Sequence, residues 1–138
     1  MLKIDIHSFS YKKGIPKDDS GNGGGFCFDC RGIMNPGRIE KYKKSTGADA
    51  DVQEYLETQT EMPKFLDLIK CLISINIDNY LSRSFENLQI NFGCTGGQHR
   101  SVYAAVKIAK FIKEKYPQTK VKITHDEQSA LSIEPRNS

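Results

Sequence analysis

The stretch LQINFGCTGGQHRSVYAA, from Leu88 to Ala105, carries the strongest fold signal in this 138-residue chain. Its first six residues are mostly apolar and end in glycine, which predicts a buried strand over 88–93. After the glycines, apolar residues recur at helical spacing from Ser101 to about Lys115, and KVKIT over 120–124 predicts another strand. A strand, a glycine-rich loop, a helix and a strand in this order predict a βαβ unit with parallel strands.

The segments before this unit predict two more strands and two more helices. Apolar and polar residues alternate over 2–7 and again over 26–30, as they do in half-buried strands. Asp49 or Asp51 can cap a helix, and Pro63 fits the first turn of a longer one. The buried face of that longer helix is predicted to comprise Phe65, Leu66, Ile69, Leu72, Ile73 and Ile77.

Together these elements predict a single α/β domain with a mixed, mostly parallel sheet flanked by helices. We expect one ligand-binding domain over residues 1–125 and a flexible polar tail over 126–138. Hydrophobic residues make up 38% of the chain and charged residues 27%, which excludes a disordered protein. No apolar run is long enough to span a membrane, and MLKIDIHSFS is too polar for a signal peptide, so we expect a cytoplasmic protein without a membrane partner.

The corner between the 88–93 strand and the following helix carries the chemistry. A helix that begins near His99 or Arg100 exposes unpaired backbone N–H groups and a partial positive charge. Two glycines let the backbone bend with positive φ and approach a ligand, and arginine adds a planar fork of donors suited to phosphate oxygens. We therefore predict a phosphate-binding loop whose ligand contacts come from Cys94, Thr95, Gly96, Gly97, Gln98, His99, Arg100 and Ser101.

The same loop has a catalytic alternative. Cys94, five intervening residues, Arg100 and Ser101 resemble the phosphate loop of protein tyrosine phosphatases, in which a cysteine thiolate attacks phosphorus. Such an enzyme also needs a general acid for the leaving group. The aspartates available for that role do not lie in a recognisable acid loop: Asp18, Asp19, Asp29 and Asp126. We therefore expect a binding domain rather than an enzyme, with a cysteine-dependent phosphatase as the alternative.

Two further segments are predicted to lie beside the corner. Asp29 and Arg31 follow a strand, so they can reach a ligand at the same sheet edge, or they can form a structural ion pair. Lys12 and Lys13 precede a glycine and can close over an anion. We include all four side chains in the predicted ligand-binding set.

The four cysteines do not predict a metal site or a cofactor. Cys27 and Cys30 have zinc-type spacing, but no second pair follows at a suitable distance. Because aromatic residues alternate with this pair, a strand with buried reduced thiols is the preferred interpretation. Cys71 falls in an apolar helical pattern and is predicted to lie in the core.

Four blocks of the sequence resemble the C-terminal domain of the RapZ/YvcJ family. GCTGGQHRSV over 93–102 is similar to the signature of that family, and SFSYKKGIP over 8–16 is similar to its F-G-F-K-x-G-x-P segment. FCFDCRGIMNP over 26–36 resembles its V-F-D-x-R-x-x-x-N-P segment, and STGADADVQEYL over 45–56 resembles its T-G-x-D segment. The four blocks have the family's order and span most of the chain. Lys13 stands where relatives often have His or Tyr.

The resemblance implies a bacterial regulatory domain that senses a phosphorylated amino sugar, glucosamine 6-phosphate, through the loop at Cys94–Ser101. It also implies an α/β fold with some likeness to phosphofructokinase. Full-length members carry an additional P-loop nucleotide-binding domain, and no G-x-x-x-x-G-K-[ST] motif occurs in this chain.

RNA is the second partner that the resemblance implies, because the family presents small RNAs to an RNase. The net charge of +3 permits an anionic partner without requiring nucleic acid. A basic helix face formed by Lys107, Lys110 and Lys113 favours RNA, whereas Asp126 and Glu127 replace the basic tail of relatives and disfavour it. Whether an oligomer builds a larger basic surface is left open by the sequence.

Overall fold

A computed structural model of the chain describes residues 1–129. It contains four strands, which are β1 (Lys3–Ser10), β2 (Gly25–Asp29), β3 (Asn87–Cys94) and β4 (Lys120–His125). The three α-helices are α1 (Ala50–Gln59), α2 (Met62–Ser82) and α3 (Arg100–Lys115). Two short 3-10 turns, Pro36–Arg38 and Glu40–Tyr42, lie between β2 and α1. The prediction of a single α/β domain is confirmed.

The four strands form one sheet in the order β2-β3-β1-β4, and every neighbouring pair is parallel. The sheet of residues 1–129 is thus wholly parallel rather than mixed. The difference comes from the connection between β1 and β2, which contains no helix yet passes β3 to reach the edge of the sheet. Because all four carboxyl ends lie at one edge, the segments that follow β1, β2 and β3 are neighbours in space.

The core lies between one face of the sheet and the helices. In β1, Ile4 and Ile6 are buried, whereas Lys3 is exposed and Asp5 is half-buried, so one face of the strand packs inward. Helix α3 packs across β1, β3 and β4, and α2 packs against α1 and α3. None of the helices in residues 1–129 is both long and apolar enough to cross a membrane.

The phase of α2 differs in part from the prediction. Leu66, Ile69, Ile73 and Ile77 are buried as expected, but Leu72 is 47% exposed and Cys71 is exposed rather than in the core. Apolar residues occur on both faces of this helix, so periodicity alone does not fix which face packs inward.

The tail predicted from residue 126 falls mostly outside the described residues, which end at 129. Its first residues are bonded to the carboxyl end of β1. The Asp126 N–H donates to the Ser8 carbonyl, and an Asp126 carboxylate oxygen lies 2.8 Å from His7 Nδ1. These contacts place the start of the tail beside the corner that follows β3.

Candidate functional site

Residues 95–99 connect β3 to α3 and form the corner that the sequence singled out. Gly97 has a φ of +69°, a conformation that favours glycine, whereas Gly96 does not have a positive φ. The Ser10 hydroxyl donates to the Thr95 carbonyl at 2.6 Å, and the Tyr11 N–H donates to the Cys94 carbonyl at 3.0 Å. The end of β1 therefore holds the first part of the loop in place.

Arg100 is the first residue of α3, and its side chain is buried. Its Nη1 donates to the carbonyl oxygens of Arg31 at 3.1 Å and Ile33 at 2.8 Å. Its Nε is also buried and has no hydrogen-bond partner among the described residues. Part of the predicted donor fork is thus used to fix the segment after β2.

Gln98 and His99 bind a segment that is distant in sequence. The Gln98 side-chain amide donates to the carbonyls of Lys43 and Ser45, both at 2.8 Å. His99 Nε2 lies 2.8 Å from the Tyr42 carbonyl in a buried hydrogen bond. These side chains, predicted as ligand contacts, hold residues 42–45 against the loop.

A cavity of about 240 Å³ opens at this corner. The predicted loop over 94–101 contributes six of the predicted residues, and Lys12 contributes from the segment after β1. Three more residues come from the segment after β2. The lining residues are Lys12, Asn35, Gly37, Lys43, Cys94, Thr95, Gly96, Gln98, His99 and Arg100. No acidic residue of residues 1–129 is among them.

Cys94 lines this cavity, and its thiol lies beside the Ser101 hydroxyl. The Cys94 thiol is buried, and its Sγ lies 3.1 Å from Ser101 Oγ within hydrogen-bonding reach. This arrangement is the one that the phosphatase alternative needs for its nucleophile. None of the four aspartates considered as a general acid lines the cavity in the described part of the chain.

Asp29 and Arg31 lie at the corner but not in the lining. Asp29 is in register with Gly93, and its carboxylate accepts from Arg31 Nε at 2.9 Å and Nη2 at 2.7 Å. The guanidinium of Arg31 also lies over the Tyr11 ring, 3.8 Å from its centroid. These hydrogen bonds hold the pKa of Asp29 below its usual range. The two side chains therefore form the structural ion pair that the sequence offered as the alternative to a ligand contact.

Sequence reasoning missed three lining residues and included five that lie outside the lining, which are Gly97, Ser101, Asp29, Arg31 and Lys13. Lys12 lines the cavity, whereas the adjacent Lys13 does not. The missed residues are Asn35, Gly37 and Lys43. Asn35 lies in one of the quoted sequence blocks, so a signal for it existed, but the sequence around Lys43 gives no sign that this segment reaches the corner.

Comparison with known proteins points to one family. A family model described as the RapZ C-terminal domain matches residues 2–129. The chain is 40% identical to a nucleotide-binding protein of Endomicrobium trichonymphae over 124 residues, which are 90% of this chain and 41% of that protein. It is 40% identical to a nucleotide-binding protein of Fusobacterium nucleatum over 112 residues, 81% of this chain and 37% of that protein.

A nucleotide-binding protein of Listeria monocytogenes serotype 4a is 37% identical over 119 residues, 86% of this chain and 39% of that protein. This chain therefore spans about two fifths of the length of the curated relatives that it matches.

Proposed function

Because the chain belongs to the RapZ C-terminal domain family, we propose that its corner cavity binds the phosphate group of a phosphorylated sugar, with an amino-sugar phosphate as the candidate ligand. The observation that carries this proposal is the lining: Lys12, Lys43 and Arg100 are cationic, and no acidic side chain of the described residues joins them. A phosphate monoester carries nearly two negative charges at neutral pH. The lining complements that charge.

Unused donors at the start of α3 also support an anionic ligand. The backbone N–H groups of residues 96–100 donate to no protein acceptor within residues 1–129. The first N–H groups of a helix carry a partial positive charge and commonly bind phosphate. The buried Nε of Arg100 adds a charged donor without a protein partner. A phosphate at the loop would supply acceptors for the backbone donors among these groups.

The size of the cavity favours a small ligand. At about 240 Å³ it lies just below the range of about 300–1,000 Å³ that is typical of small-molecule pockets. A monosaccharide phosphate suits this volume better than a nucleoside triphosphate. The relatives named nucleotide-binding proteins are more than twice as long as the matched region, so a nucleotide site elsewhere in them is compatible with a sugar-phosphate cavity here.

Recognition of the sugar is assigned to the segment after β2. Asn35 lines the cavity, and its Oδ1 accepts from the Gly37 N–H at 2.9 Å, which orients the side-chain amide. An amide oxygen has a second lone pair, which can accept from a sugar hydroxyl or an amino group. Asp29, the acceptor expected from the sequence, is instead held by Arg31.

Titration of backbone amide NMR signals tests the proposal, with glucosamine 6-phosphate, glucose 6-phosphate and inorganic phosphate as ligands. Sugar-phosphate binding predicts shifts at residues 95–101 with all three ligands and additional shifts at Asn35 and Gly37 with the sugars. A further difference that is specific to glucosamine 6-phosphate would support an amino-sugar sensor. Unchanged signals throughout 95–101 would contradict phosphate binding.

Lys12 and Lys13 provide a matched pair of variants for the same titration. Both lysines are exposed and adjacent, but only Lys12 lines the cavity within the described chain. A charged hydrogen bond contributes about 1.5–3 kcal/mol, so Lys12→Gln should weaken phosphate binding by roughly tenfold or more. Lys13→Gln should bind as the wild type does. Equal losses in the two variants would indicate general charge attraction rather than this cavity.

Turnover of an aryl phosphate separates binding from catalysis. We expect low turnover by the wild type, because no aspartate of the described residues lines the cavity as a general acid. Turnover by the wild type that disappears in Cys94→Ser would establish the phosphatase alternative instead.

RNA binding has less structural support than sugar-phosphate binding. On the lysine face of α3, Lys107 lies 3.7 Å from the Glu57 carboxylate, so part of its charge is neutralised, while Lys110 and Lys113 are exposed. An RNA interface on this face predicts affinity that falls steeply with salt and is lost when Lys110 and Lys113 are changed to Glu.

A further inference from the structure

Two buried cysteines continue a row of paired side chains on β2 and β3. Phe28 and Phe92 are register partners, and their rings stack at a centroid distance of 5.6 Å on the buried face. Two residues further along each strand are Cys30 and Cys94, which are 0% and 2% exposed. Because side chains alternate between the faces of a strand, both thiols are on the face that carries the two phenylalanines.

The backbone places the two cysteines opposite each other. The Cys30 N–H donates to the Gly93 carbonyl at 2.8 Å, which closes the last pair of the parallel ladder, Asp29 with Gly93. Cys30 and Cys94 each follow a member of that pair, so they lie side by side one step beyond it. Neighbouring strands are about 4.8 Å apart, and the Cα atoms of a disulfide are separated by about 4.4–6.8 Å. Strand spacing therefore puts the two Cα atoms in the range that a disulfide requires.

Cys27 is not a competing partner for Cys30, despite the CxxC spacing. It is exposed, whereas Cys30 is buried. Along an extended strand, three residues span roughly 10 Å, which exceeds the reach of a disulfide. The buried pair thus comes from two strands, not from one motif.

The two thiols differ in access to the cavity. Cys94 lines the cavity, so a small oxidant that enters the cavity reaches its sulfur first. Cys30 does not line the cavity, and burial raises the pKa of its thiol well above the ordinary value, which disfavours its direct oxidation. This division matches a pair in which one cysteine is oxidised and the other resolves the product.

We propose that Cys94 and Cys30 are a site of reversible thiol oxidation, at which a hydroperoxide converts the pair to a disulfide at the base of the cavity. The Cys94 sulfur attacks one peroxide oxygen, the O–O bond breaks, and the departing oxygen takes the thiol proton to leave as water. The Cys30 sulfur then attacks the sulfur of the Cys94 sulfenic acid, and the S–O bond breaks as the hydroxyl group leaves with the Cys30 proton as a second water. Two thiols are oxidised, and one hydrogen peroxide is reduced to two waters.

The disulfide would change the corner. Its formation turns the Cys94 sulfur toward β2 and breaks the contact with Ser101 Oγ, which anchors the first turn of α3. We expect phosphate affinity to fall at least tenfold on oxidation. This effect rests on the proposed function, whereas the disulfide itself does not.

The experiment uses a Cys27→Ser/Cys71→Ser variant, because these two exposed thiols would otherwise form disulfides between molecules. The protein is treated with hydrogen peroxide, alkylated, digested without reduction and analysed by mass spectrometry. The expected result is a linked peptide pair containing Cys30 and Cys94, lighter by two hydrogens than the sum of its parts and separated by dithiothreitol. Overoxidised Cys94 beside a free Cys30 thiol, or two thiols that both still alkylate, would overturn the proposal.

Adding Cys30→Ala to that variant removes the resolving thiol. Dimedone should then trap a sulfenic acid on Cys94. A native circular dichroism spectrum verifies that the variant is folded. If the folded variant forms no adduct, peroxide does not reach Cys94, and this result also overturns the proposal. If the triple variant does not fold, the linked peptide of the double variant decides alone. A phosphate titration of the reduced and oxidised double variant follows. A linked peptide without phosphate binding in the reduced protein would refute the proposed function and leave the disulfide established.

Discussion

Arg100 Nη1 lies 2.8 Å from the carbonyl oxygen of Ile33, and this buried hydrogen bond joins the start of α3 to the segment that follows β2. The same nitrogen donates to the Arg31 carbonyl at 3.1 Å. Arg100 therefore has two functions in the corner: it holds the segment that carries Asn35 and Gly37 in place, and it contributes positive charge to the cavity.

Arg100→Ala should lower the free energy of unfolding by about 2–4 kcal/mol, because two backbone carbonyls lose a charged donor and a buried side chain is removed. Urea denaturation followed by circular dichroism measures this loss. Arg31→Ala is the control: its partly exposed ion pair with Asp29 should contribute less than about 1 kcal/mol. Similar losses in both variants would contradict the structural function assigned to Arg100.

Gly97 and Gly96 give a matched test of the loop conformation. Gly97→Ala should destabilise the protein by about 1–3 kcal/mol, because alanine is strained at a φ of +69°. Its Cβ would also lie 3.1 Å from the Phe9 carbonyl carbon. At Gly96 an added Cβ contacts nothing within 4 Å among the described residues, and φ is not positive, so Gly96→Ala should change stability little. Thermal unfolding of the two variants compares them, and a larger loss at Gly96 would refute this loop geometry.

Gly47 tests the contact between the 42–47 segment and α3. A Cβ at Gly47 would collide with the His99 carbonyl oxygen and the Tyr103 backbone nitrogen, and neither can rotate away. Gly47→Ala should therefore cost about 1–3 kcal/mol through overpacking. Gly32→Ala, which meets nothing within 4 Å in the described structure, is the control for alanine substitution in a loop. Denaturant midpoints of the two variants should differ clearly; coincident midpoints would mean that the close packing at Gly47 is absent.

The sequence predicted the β3–α3 corner well because its signals are local. Alternation, glycine and helical spacing all occur within one stretch, and α3 begins within one residue of the expected position. The hydrogen-bond partners of the Arg100 side chain could not be predicted in this way. Its acceptors are the carbonyls of residues 31 and 33, and backbone carbonyls leave no mark in a sequence.

Contacts between distant segments explain the missed lining residues, and an ambiguous apolar pattern explains the misassigned Leu72 and Cys71 of α2. Lys43 reaches the cavity through Gln98, whose amide binds two carbonyls more than fifty positions earlier in the chain. Leu72 and Cys71 belong to an apolar run in which two helix faces satisfy the pattern almost equally well. The connection from β1 to β2 contains no helix. The sequence therefore gave no sign that this connection crosses β3 and makes β2 parallel to it.

His125 predicts a specific pH dependence of stability. Its ring is buried at the end of β4, with Nδ1 2.6 Å from Ser8 Oγ, and burial lowers its pKa to about 4 despite the opposing charge of Asp126. The unfolded chain should bind this proton with a pKa of about 6.5. Between these two values the unfolded state binds more protons than the native state, so stability is complete above about pH 6.5 and falls as the pH decreases toward 4.

The expected loss is roughly 2 kcal/mol between about pH 7 and pH 5, a range above the ordinary titration of carboxylates. Urea denaturation at a series of pH values measures it. His125→Gln keeps a polar side chain beside Ser8 and removes the titration, so this variant should be less stable at pH 7 but nearly independent of pH down to 5. Two results would show that the buried neutral histidine does not cause the pH dependence. One is a wild-type free energy of unfolding that stays constant over this range, and the other is a pH dependence that persists unchanged in His125→Gln.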